Sequence, residues 1–280
     1  MLAILAALQI GAIAPPVSIG GSPIDASKGS WIAIAAGVTP EAAKNLAELQ
    51  IADKALKAFV LGPEDSETRS ALGLDGGKKM LLLNPNLRAV RIWDSEPSGG
   101  FSGALRSWLE GRSLEPGEAA VDPRPFLAES GAIPATDATK GLVIVFLQSD
   151  GAVDALYVER LKAASEAAKK AGIGILGLFP AHDETVESVT AWAEALGFPC
   201  AVDPGSAFAD AYRATRTPEV FLLDSAGKVA YTGSVDSSTW DIDELRPYLL
   251  DAIAAMAEGK PIRPAKTFPF GTAIARTPDR

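Results

Sequence analysis

Two side chain types that carry nucleophilic or acid–base chemistry occur only once in this sequence, as Cys200 and His182. A cysteine thiolate is a nucleophile, and a histidine can act as the general base that activates one. Cys200, in "GFPCAVD", enters an apolar run typical of an internal strand, where free cysteine is usually buried and inert. His182, in the polar loop "FPAHDET", reads as a solvated side chain without a partner nucleophile.

The composition limits the chemistry further. The chain has 280 residues, of which 48% are apolar, and its 35 acidic and 26 basic residues give a net charge of −9. This charge repels polyphosphate, so nucleic acid is not an expected partner. One cysteine excludes an intrachain disulfide, and one histidine excludes the usual zinc, copper and iron sites. We therefore expect neither a metal nor another cofactor.

A strand-to-helix elbow is the most distinctive local feature. The stretch "GLVIVFLQSDGAVDALYVERL", from Gly141 to Leu161, reads as a buried strand, a tight turn and a helix. The tip of the turn is Gly151, which has no side chain to react. Beside it, Asp150 could bind a cation or a donor group, or simply cap the helix. The pattern assigns three further charges to the solvated face of the helix: Asp154, Glu159 and Arg160.

Internal repeats indicate how the elements around the elbow are organised. "DASKGSWIAIAA", from Asp25, recurs as "DATKGLVIVFL" from Asp137, and "MLLLNPNLRAVRIWD", from Met80, matches "VFLLDSAGKVAYTG" from Val220. The first pair predicts buried strands and the second pair predicts hairpins. Each half also ends in an amphipathic helix, so the order strand, helix, strand, hairpin and helix occurs twice.

The sequence therefore predicts two related α/β domains in tandem, each a central mixed sheet flanked by helices. The second half contains an additional helix and strand. A stretch rich in Pro, Gly and acidic residues, Glu115 to Pro125, reads as the linker.

The second half resembles the thioredoxin-like superfamily, in the redoxin branch that includes peroxiredoxin-like (AhpC/TSA) proteins. The match covers roughly residues 120 to 275 and includes the elbow, "FPCAVDPGSAFADAYRATRTPEVFLLDSAGKV", "YTGSVD" and the closing helix. Its most specific element is Thr217-Pro218 before the strand "EVFLL", because in thioredoxin folds a cis-proline stands there, opposite the redox elbow. The resemblance implies a degenerate domain over residues 1–115 and a better preserved redoxin domain over 116–280.

The same resemblance implies that the redox cysteines have been replaced. Gly151 stands at the position of the nucleophilic cysteine, and Thr272, in "GTAI", stands at the position of a second cysteine common in this branch. In the first half, "GVTPEAAKNLAEL" resembles a peroxiredoxin elbow with Ala42 at the cysteine position, and Lys78 stands where the proline would be. Hydroxyls such as Ser149 are no substitute for a thiol in redox cycling.

Two functions remain open at this point. One is a binding or scaffolding module for an unknown protein or peptide partner, using a surface made of Asp150, Gly151, Arg216, Thr217 and Pro218. In thioredoxin folds the residue before the cis-proline can pair with an extended peptide through its backbone. The other is a thiol oxidoreductase of the redoxin family that uses Cys200 or a partner's thiol. Accessibility of Cys200 discriminates between them.

The N-terminus leaves the compartment open. "MLAILAALQIGAIAPP" ends its apolar run in Ala12-Ile13-Ala14, which resembles an export cleavage site, but it lacks a basic leading region. It also reads as a first strand with Ala14-Pro15-Pro16 as its rigid lead-in. A cytoplasmic and an exported protein are both compatible with this stretch, which is too short to span a membrane.

Overall fold

The computed structural model describes residues 9–19, 22–24, 29–52, 55–98, 100–110, 113–133, 140–237 and 245–276. Most of the export-like run, and the turns that begin at Asp25 and Asp137, lie outside the described residues. The chain divides into two compact units, which meet in sequence between Arg112 and Ser113. Among the described residues, none of the helices combines the length and the apolar character needed to cross a bilayer.

The first unit contains a small β-ribbon, a mixed sheet and flanking helices. Its elements are β1 (Ser18–Ile19), β2 (Ser22–Pro23), β3 (Trp31–Ala36), α1 (Pro40–Ala52), β4 (Leu56–Leu61), a 3₁₀ turn (Pro63–Asp65), α2 (Ser66–Ala71), β5 (Lys79–Leu83), β6 (Ala89–Trp93) and α3 (Gly100–Leu109). The described residues form a four-stranded sheet in the order β4-β3-β5-β6. In this sheet β3 runs parallel to β4 and antiparallel to β5.

The second unit is larger and follows the same plan. Its elements are α4 (Arg124–Glu129), β7 (Gly141–Phe146), α5 (Ala152–Ala155), α6 (Val158–Ala171), β8 (Gly174–Phe179), α7 (Val186–Leu196), β9 (Cys200–Val202), a 3₁₀ turn (Pro204–Ser206), α8 (Ala207–Tyr212), β10 (Arg216–Thr217), β11 (Glu219–Asp224), β12 (Val229–Gly233), α9 (Tyr248–Ala257) and β13 (Thr272–Ala273). The described residues form a five-stranded sheet in the order β12-β11-β7-β8-β9 and a separate pair, β10-β13.

The two sheets share one strand order, as the sequence repeats predict. The order β4-β3-β5-β6 corresponds to β8-β7-β11-β12, and β9 extends the sheet of the second unit. Both hairpins even shift register at the matching place, between Leu82 and Leu83 in one and between Leu222 and Leu223 in the other. The α/β architecture with helix-flanked mixed sheets is thereby confirmed.

The central strand of the second unit is buried along its whole length. All six residues of β7 are buried, and β8 pairs with it on one side and β11 on the other. Its side chains Val143 and Val145 belong to a core that includes Tyr157 and Leu161 from the residues after the elbow. This packing holds the end of β7 and the following turn in one position, which is what a functional elbow requires.

The predicted linker is wrong in its structural role. Residues 115–125 belong to the second unit, where Gly117 donates its backbone N–H to Val229 at 2.7 Å and Ala120 donates to Gly227 at 2.9 Å. Composition rich in Pro and Gly is compatible with an extended segment lying along a hairpin as well as with a free linker. Pairing with a distant hairpin cannot be read from local sequence.

Candidate functional site

The elbow lies where the sequence predicts it, but its tip is not a surface feature. β7 ends at Phe146, the turn closes with a hydrogen bond from the Gly151 N–H to the carbonyl of Gln148 at 3.1 Å, and α5 begins at Ala152. Gly151 is the N-cap of α5 and is buried. The expectation that it contributes an open binding surface is therefore corrected.

A buried carboxylate lies directly beneath this tip. Asp154 is fully buried, with Oδ1 accepting from the Gln148 backbone N–H at 3.2 Å and Oδ2 accepting from the Thr217 hydroxyl at 3.1 Å. The interpretation of Asp154 as a solvated-face charge is wrong. The reason is that α5 ends at Ala155 and the helix restarts at Val158, so a single helical period does not apply across this stretch.

Asp154 fills the space that a side chain on residue 151 would need. A Cβ atom on Gly151 would meet Oδ2 of Asp154 and would lie 2.8 Å from its Cγ. Both contacts are too short for a real Cβ atom, so the Asp154 side chain or the backbone would have to move. Burial raises the pKa of Asp154 from its ordinary 3.8 to about 7, and the hydrogen bonds from Thr217 and Gln148 counteract part of this. Because the carboxyl group has no exposed surface, it supports the elbow and does not face a ligand.

The other charges around the elbow take different positions. Glu159 is exposed, as predicted. Arg160 is not simply solvated, because it donates to Asp236 at 3.0 Å and its guanidinium lies 4.9 Å from the ring centroid of Tyr157. Asp150 is exposed and accepts from the side-chain amide of Gln148 at 2.6 Å. Within the described ranges, no three His, Cys, Asp or Glu side chains are arranged to hold a metal ion.

The peptide bond between Thr217 and Pro218 is cis, and Thr217 is fully buried. The backbone at this position is already paired within the chain. β10 and β13 are antiparallel, with Thr217 opposite Thr272 and Arg216 opposite Ala273, and the Ile274 N–H donates to the Thr215 carbonyl at 3.1 Å. The edge that was predicted to accept an extended peptide is therefore occupied by the chain's own C-terminal segment.

We call residues Gly271–Arg276 the strap. Its first residue must be glycine, because a Cβ atom there would meet the Thr217 carbonyl and lie 3.1 Å from Cδ of Pro218, and because its φ is 141°. Arg216 donates to the Gly271 carbonyl at 2.9 Å, which holds the start of the strap. Thr217 is thus paired through its backbone with Thr272. Through its side chain it is bonded to Asp154, which lies against Gly151.

The far end of the strap is held by an ion pair and a backbone contact. Arg276 donates from Nε to the buried Asp210 carboxylate at 2.8 Å and from Nη2 to the Ala214 carbonyl at 2.6 Å. The backbone N–H of His182 donates to the Ala275 carbonyl at 3.0 Å. The His182 side chain itself is exposed, in agreement with its interpretation as a loop residue.

A second buried carboxylate shapes the loop before the cis-proline. Glu219 accepts from the Ser113 hydroxyl at 2.5 Å and from the backbone N–H groups of Thr215 at 2.8 Å and Arg216 at 3.3 Å. Burial raises its pKa, and these hydrogen bonds oppose the shift. Sequence reasoning missed both Glu219 and Asp154. An acidic residue that opens an otherwise apolar strand, as in "PEVFLL", is the signal that could have found Glu219.

Cys200 occupies the core position that the apolar run predicts. Its side chain is 8% exposed, its Sγ lies 3.6 Å from the Phe198 carbonyl, and a Cβ atom on Gly177 would lie 2.7 Å from the sulfur. Burial raises the pKa of the thiol to about 12. It is on β9, away from the end of β7 that carries the elbow.

The corresponding positions in the first unit carry no thiol. Ala42 is in the first turn of α1, and its N–H donates to the Thr39 hydroxyl at 3.2 Å. Lys78 precedes β5 and pairs with Glu96 at 2.8 Å. Both interactions are of kinds common at helix starts and on exposed surfaces.

Solved structures of other proteins are similar to parts of this chain. A hypothetical protein from Sinorhizobium meliloti 1021 is 24% identical, with 59% of this chain and 97% of that chain covered and a TM-score of 0.51. An uncharacterized conserved protein from Geobacillus kaustophilus is 20% identical, with 60% and 92% covered and a TM-score of 0.48. Peroxidoxin BcpB from Mycobacterium tuberculosis is 14% identical, with 52% and 97% covered and a TM-score of 0.38. No curated protein matches the sequence.

The family comparison agrees with the resemblance seen in the sequence. The Redoxin family model matches residues 135–249, which include β7, the elbow, the cis-proline and the hairpin β11-β12. The Sinorhizobium meliloti structure supports the fold alone, since its identity is low. We therefore describe residues 135–249 as similar to the Redoxin family.

Proposed function

We propose that this protein binds an extended polypeptide segment along the Arg216–Thr217 edge and does not catalyse thiol–disulfide exchange or peroxide reduction. The observation that carries the proposal is the antiparallel pairing of Thr217 with Thr272. An edge that already accepts a strand through backbone hydrogen bonds has the geometry needed to accept a strand from another chain. Gly151 has an indirect role because it is buried within the elbow, whereas Asp150 is exposed beside the elbow and is available to a ligand.

The absence of thiol chemistry is supported by the residues at the elbow and the strap. Reduction of a peroxide or a disulfide begins with attack by a thiolate, and a thiolate forms readily only at an electropositive, accessible position. Gly151, Thr272 and Ala42 offer no sulfur. The alternative, an oxidoreductase that uses Cys200, is disfavoured because that thiol is buried and its pKa is raised to about 12.

The first unit, by this proposal, is a degenerate relative of the redoxin domain. The proposal is supported by the strand order that the two sheets share and by the common position of the hairpin register shift. The predicted boundary between residues 115 and 116 lies three residues after the division between the two units, so the proposal assigns the chain up to Arg112 to the degenerate domain and the chain from Ser113 to the binding domain.

Two measurements test the proposed function. The purified chain should reduce neither peroxide with a thiol reductant nor a disulfide substrate, and Cys200→Ser should behave identically. For binding, the chain is used to capture proteins from an extract of its native organism. The comparison is a variant in the Cys200→Ser background with Arg216→Cys and Ala273→Cys, which face each other across β10 and β13.

In this locked variant an oxidised disulfide holds the strap on the edge, and reduction releases it. The pair is suitable because Thr215 and Ile274 are hydrogen-bonded opposite each other, so the next pair along is the closer, non-hydrogen-bonded kind. A specific partner should be captured by the reduced form and lost from the oxidised form. Capture that is equal in both forms would remove the edge from the proposed site.

A further inference from the structure

We propose that the strap is an intramolecular copy of the ligand, so that the preferred ligand is an extended segment with an apolar residue followed, two positions later, by a cationic one. This inference rests on the proposed function and specifies its ligand class. Its basis is a contrast within the strap. The side chains of Ile274 and Arg276 are held by other parts of the chain, whereas β13 pairs with β10 through backbone hydrogen bonds.

The backbone part of the recognition is independent of side chains. Thr217 and Arg216 pair with Thr272 and Ala273, whose own side chains are exposed. Any extended segment can make these hydrogen bonds, provided that a glycine or a chain end allows the close approach seen at Gly271. Backbone pairing therefore supplies affinity without selectivity.

Selectivity comes from the last three residues of the strap. Ile274 is 8% exposed, in contrast to the exposed side chains of Thr272 and Ala273 just before it. Arg276 reaches Asp210, whose side chain is only 6% exposed, and also the Ala214 carbonyl. A hydrogen-bonded cation at a largely buried carboxylate is the kind of contact that discriminates between ligands, because an uncharged residue there would forgo this ion pair.

The charge of the molecule favours the same ligand class. The chain carries a net charge of −9, so a cationic segment is attracted to it at long range and an acidic one is repelled. The strap itself follows this rule, since the charged residue of Gly271–Arg276 is an arginine.

The strap is held by few contacts, which makes exchange with another segment feasible. It buries one large apolar side chain, makes one ion pair, forms a pair of two-residue strands and is otherwise held by hydrogen bonds from Arg216, His182 and Arg276. The two large apolar side chains just before it, Phe268 and Phe270, pack on each other at 6.0 Å and are exposed. As a tethered segment the strap competes at an effective concentration on the order of millimolar, so a ligand in trans binds weakly until the strap is loosened.

The experiment uses a dye-labelled synthetic peptide with the sequence of residues 270–276, FGTAIAR, and the full-length protein. The release variant, Ile274→Asp with Arg276→Glu, weakens the strap without changing the edge or Asp210. Fluorescence anisotropy should show that the release variant binds the peptide at least about tenfold more tightly than the wild type, since the tethered competitor is removed. A peptide with the same two changes, FGTADAE, should not bind.

Asp210→Asn in the release variant identifies the contact with the cation. It should weaken binding of FGTAIAR about tenfold or more and have little effect on a peptide with alanine in place of the arginine. The locked variant provides a second route if the release variant loses its far-ultraviolet circular dichroism. Its oxidised form should bind the peptide at least about tenfold more weakly than its reduced form.

Equal binding by the wild type and a folded release variant, or by the two forms of the locked variant, would overturn the inference. Equal binding of FGTAIAR and FGTADAE by the release variant would also overturn it. The outcome is separable from that of the proposed function. A partner captured by the reduced but not the oxidised locked variant, without binding of FGTAIAR, would overturn the inference and leave the proposed function standing, whereas loss of both partner capture and peptide binding would overturn both.

Discussion

The Thr217 hydroxyl donates to Oδ2 of Asp154 at 3.1 Å, and neither side chain is accessible to solvent. This hydrogen bond joins the first helix after the elbow to the residue before the cis-proline. Thr217 is also the residue whose backbone pairs with the strap. The buried carboxyl group therefore positions the elbow and the strand-binding edge with respect to each other, and its removal is expected to affect both.

The protonation of Asp154 should make stability depend on pH. Its carboxyl group has a pKa of about 7 in the folded chain and an ordinary value of 3.8, so between these values the unfolded state binds fewer protons than the folded state. The free energy of unfolding consequently falls as pH rises through this window and levels off above it. Asp154→Asn cannot ionise. As pH rises across the window, its free energy of unfolding should therefore increase relative to that of the wild type by on the order of a few kcal/mol.

Chemical denaturation of both proteins at several pH values measures this difference. Burial also raises the pKa of Asp203 to about 7. Because Asp203 remains in the variant, part of the pH dependence of the free energy of unfolding remains as well. Asp150→Asn, in the same turn but exposed, is the matched control. An equal change of slope in both variants would contradict the assignment to Asp154.

A side chain on residue 151 should be tolerated only when Asp154 is truncated. Gly151→Ala is expected to destabilise the chain by about 1–3 kcal/mol, because the added Cβ meets the Asp154 carboxylate. In the Asp154→Ala background the same substitution should have a much smaller effect, which a double-mutant cycle measures. Gly103→Ala in α3 is the control, since nothing lies within 4 Å of a Cβ there and helix propensity favours the change. Equal costs in both backgrounds would show that the carboxylate does not fill this space.

Much of the fold follows from local patterns. The continuous apolar run of β7 and the two matching hairpins lie where periodicity and repeats place them, and the shared strand order follows from these. Asp154 escaped prediction because the break between α5 and α6 shifts the helical phase. The strap escaped because β13 has two residues, too few to show alternation, and pairs with a strand far away in sequence. The ion pair between Arg276 and the buried Asp210 joins residues far apart in sequence, so no local pattern predicts it.

Glu219 should be required for the stability of the cis-proline loop. Glu219→Ala leaves the Ser113 hydroxyl and the N–H groups of Thr215 and Arg216 without their acceptor, which is expected to lower the free energy of unfolding by about 2–4 kcal/mol. Glu219→Gln retains one acceptor oxygen and should recover part of this loss. Glu159→Ala, an exposed glutamate, is the control in the same denaturation series. A loss no larger than that of the control would remove Glu219 from this role.

Loss of the cation should loosen the strap locally. In Arg276→Ala the ion pair with Asp210 is absent, so the Ile274 N–H, which donates to the Thr215 carbonyl, should exchange with solvent about tenfold faster or more. Hydrogen exchange read by mass spectrometry on the C-terminal peptide measures this. Lys266→Ala, which removes an exposed pair with Glu115, should leave the exchange of Ile274 unchanged. Equal acceleration in both variants would indicate general destabilisation of the C-terminus.

Cys200 should be unreactive in the native protein. Its thiol is buried and its pKa is about 12, so the thiolate that attacks alkylating agents and peroxides is scarce at neutral pH. Iodoacetamide should label it slowly in buffer and rapidly in guanidinium chloride, where the core is open. Peroxide should likewise leave the thiol reduced, as mass spectrometry of the treated protein would show. Rapid native labelling, or oxidation that accompanies peroxide turnover and is lost in Cys200→Ser, would place an active site at this sulfur and contradict the proposed loss of thiol chemistry.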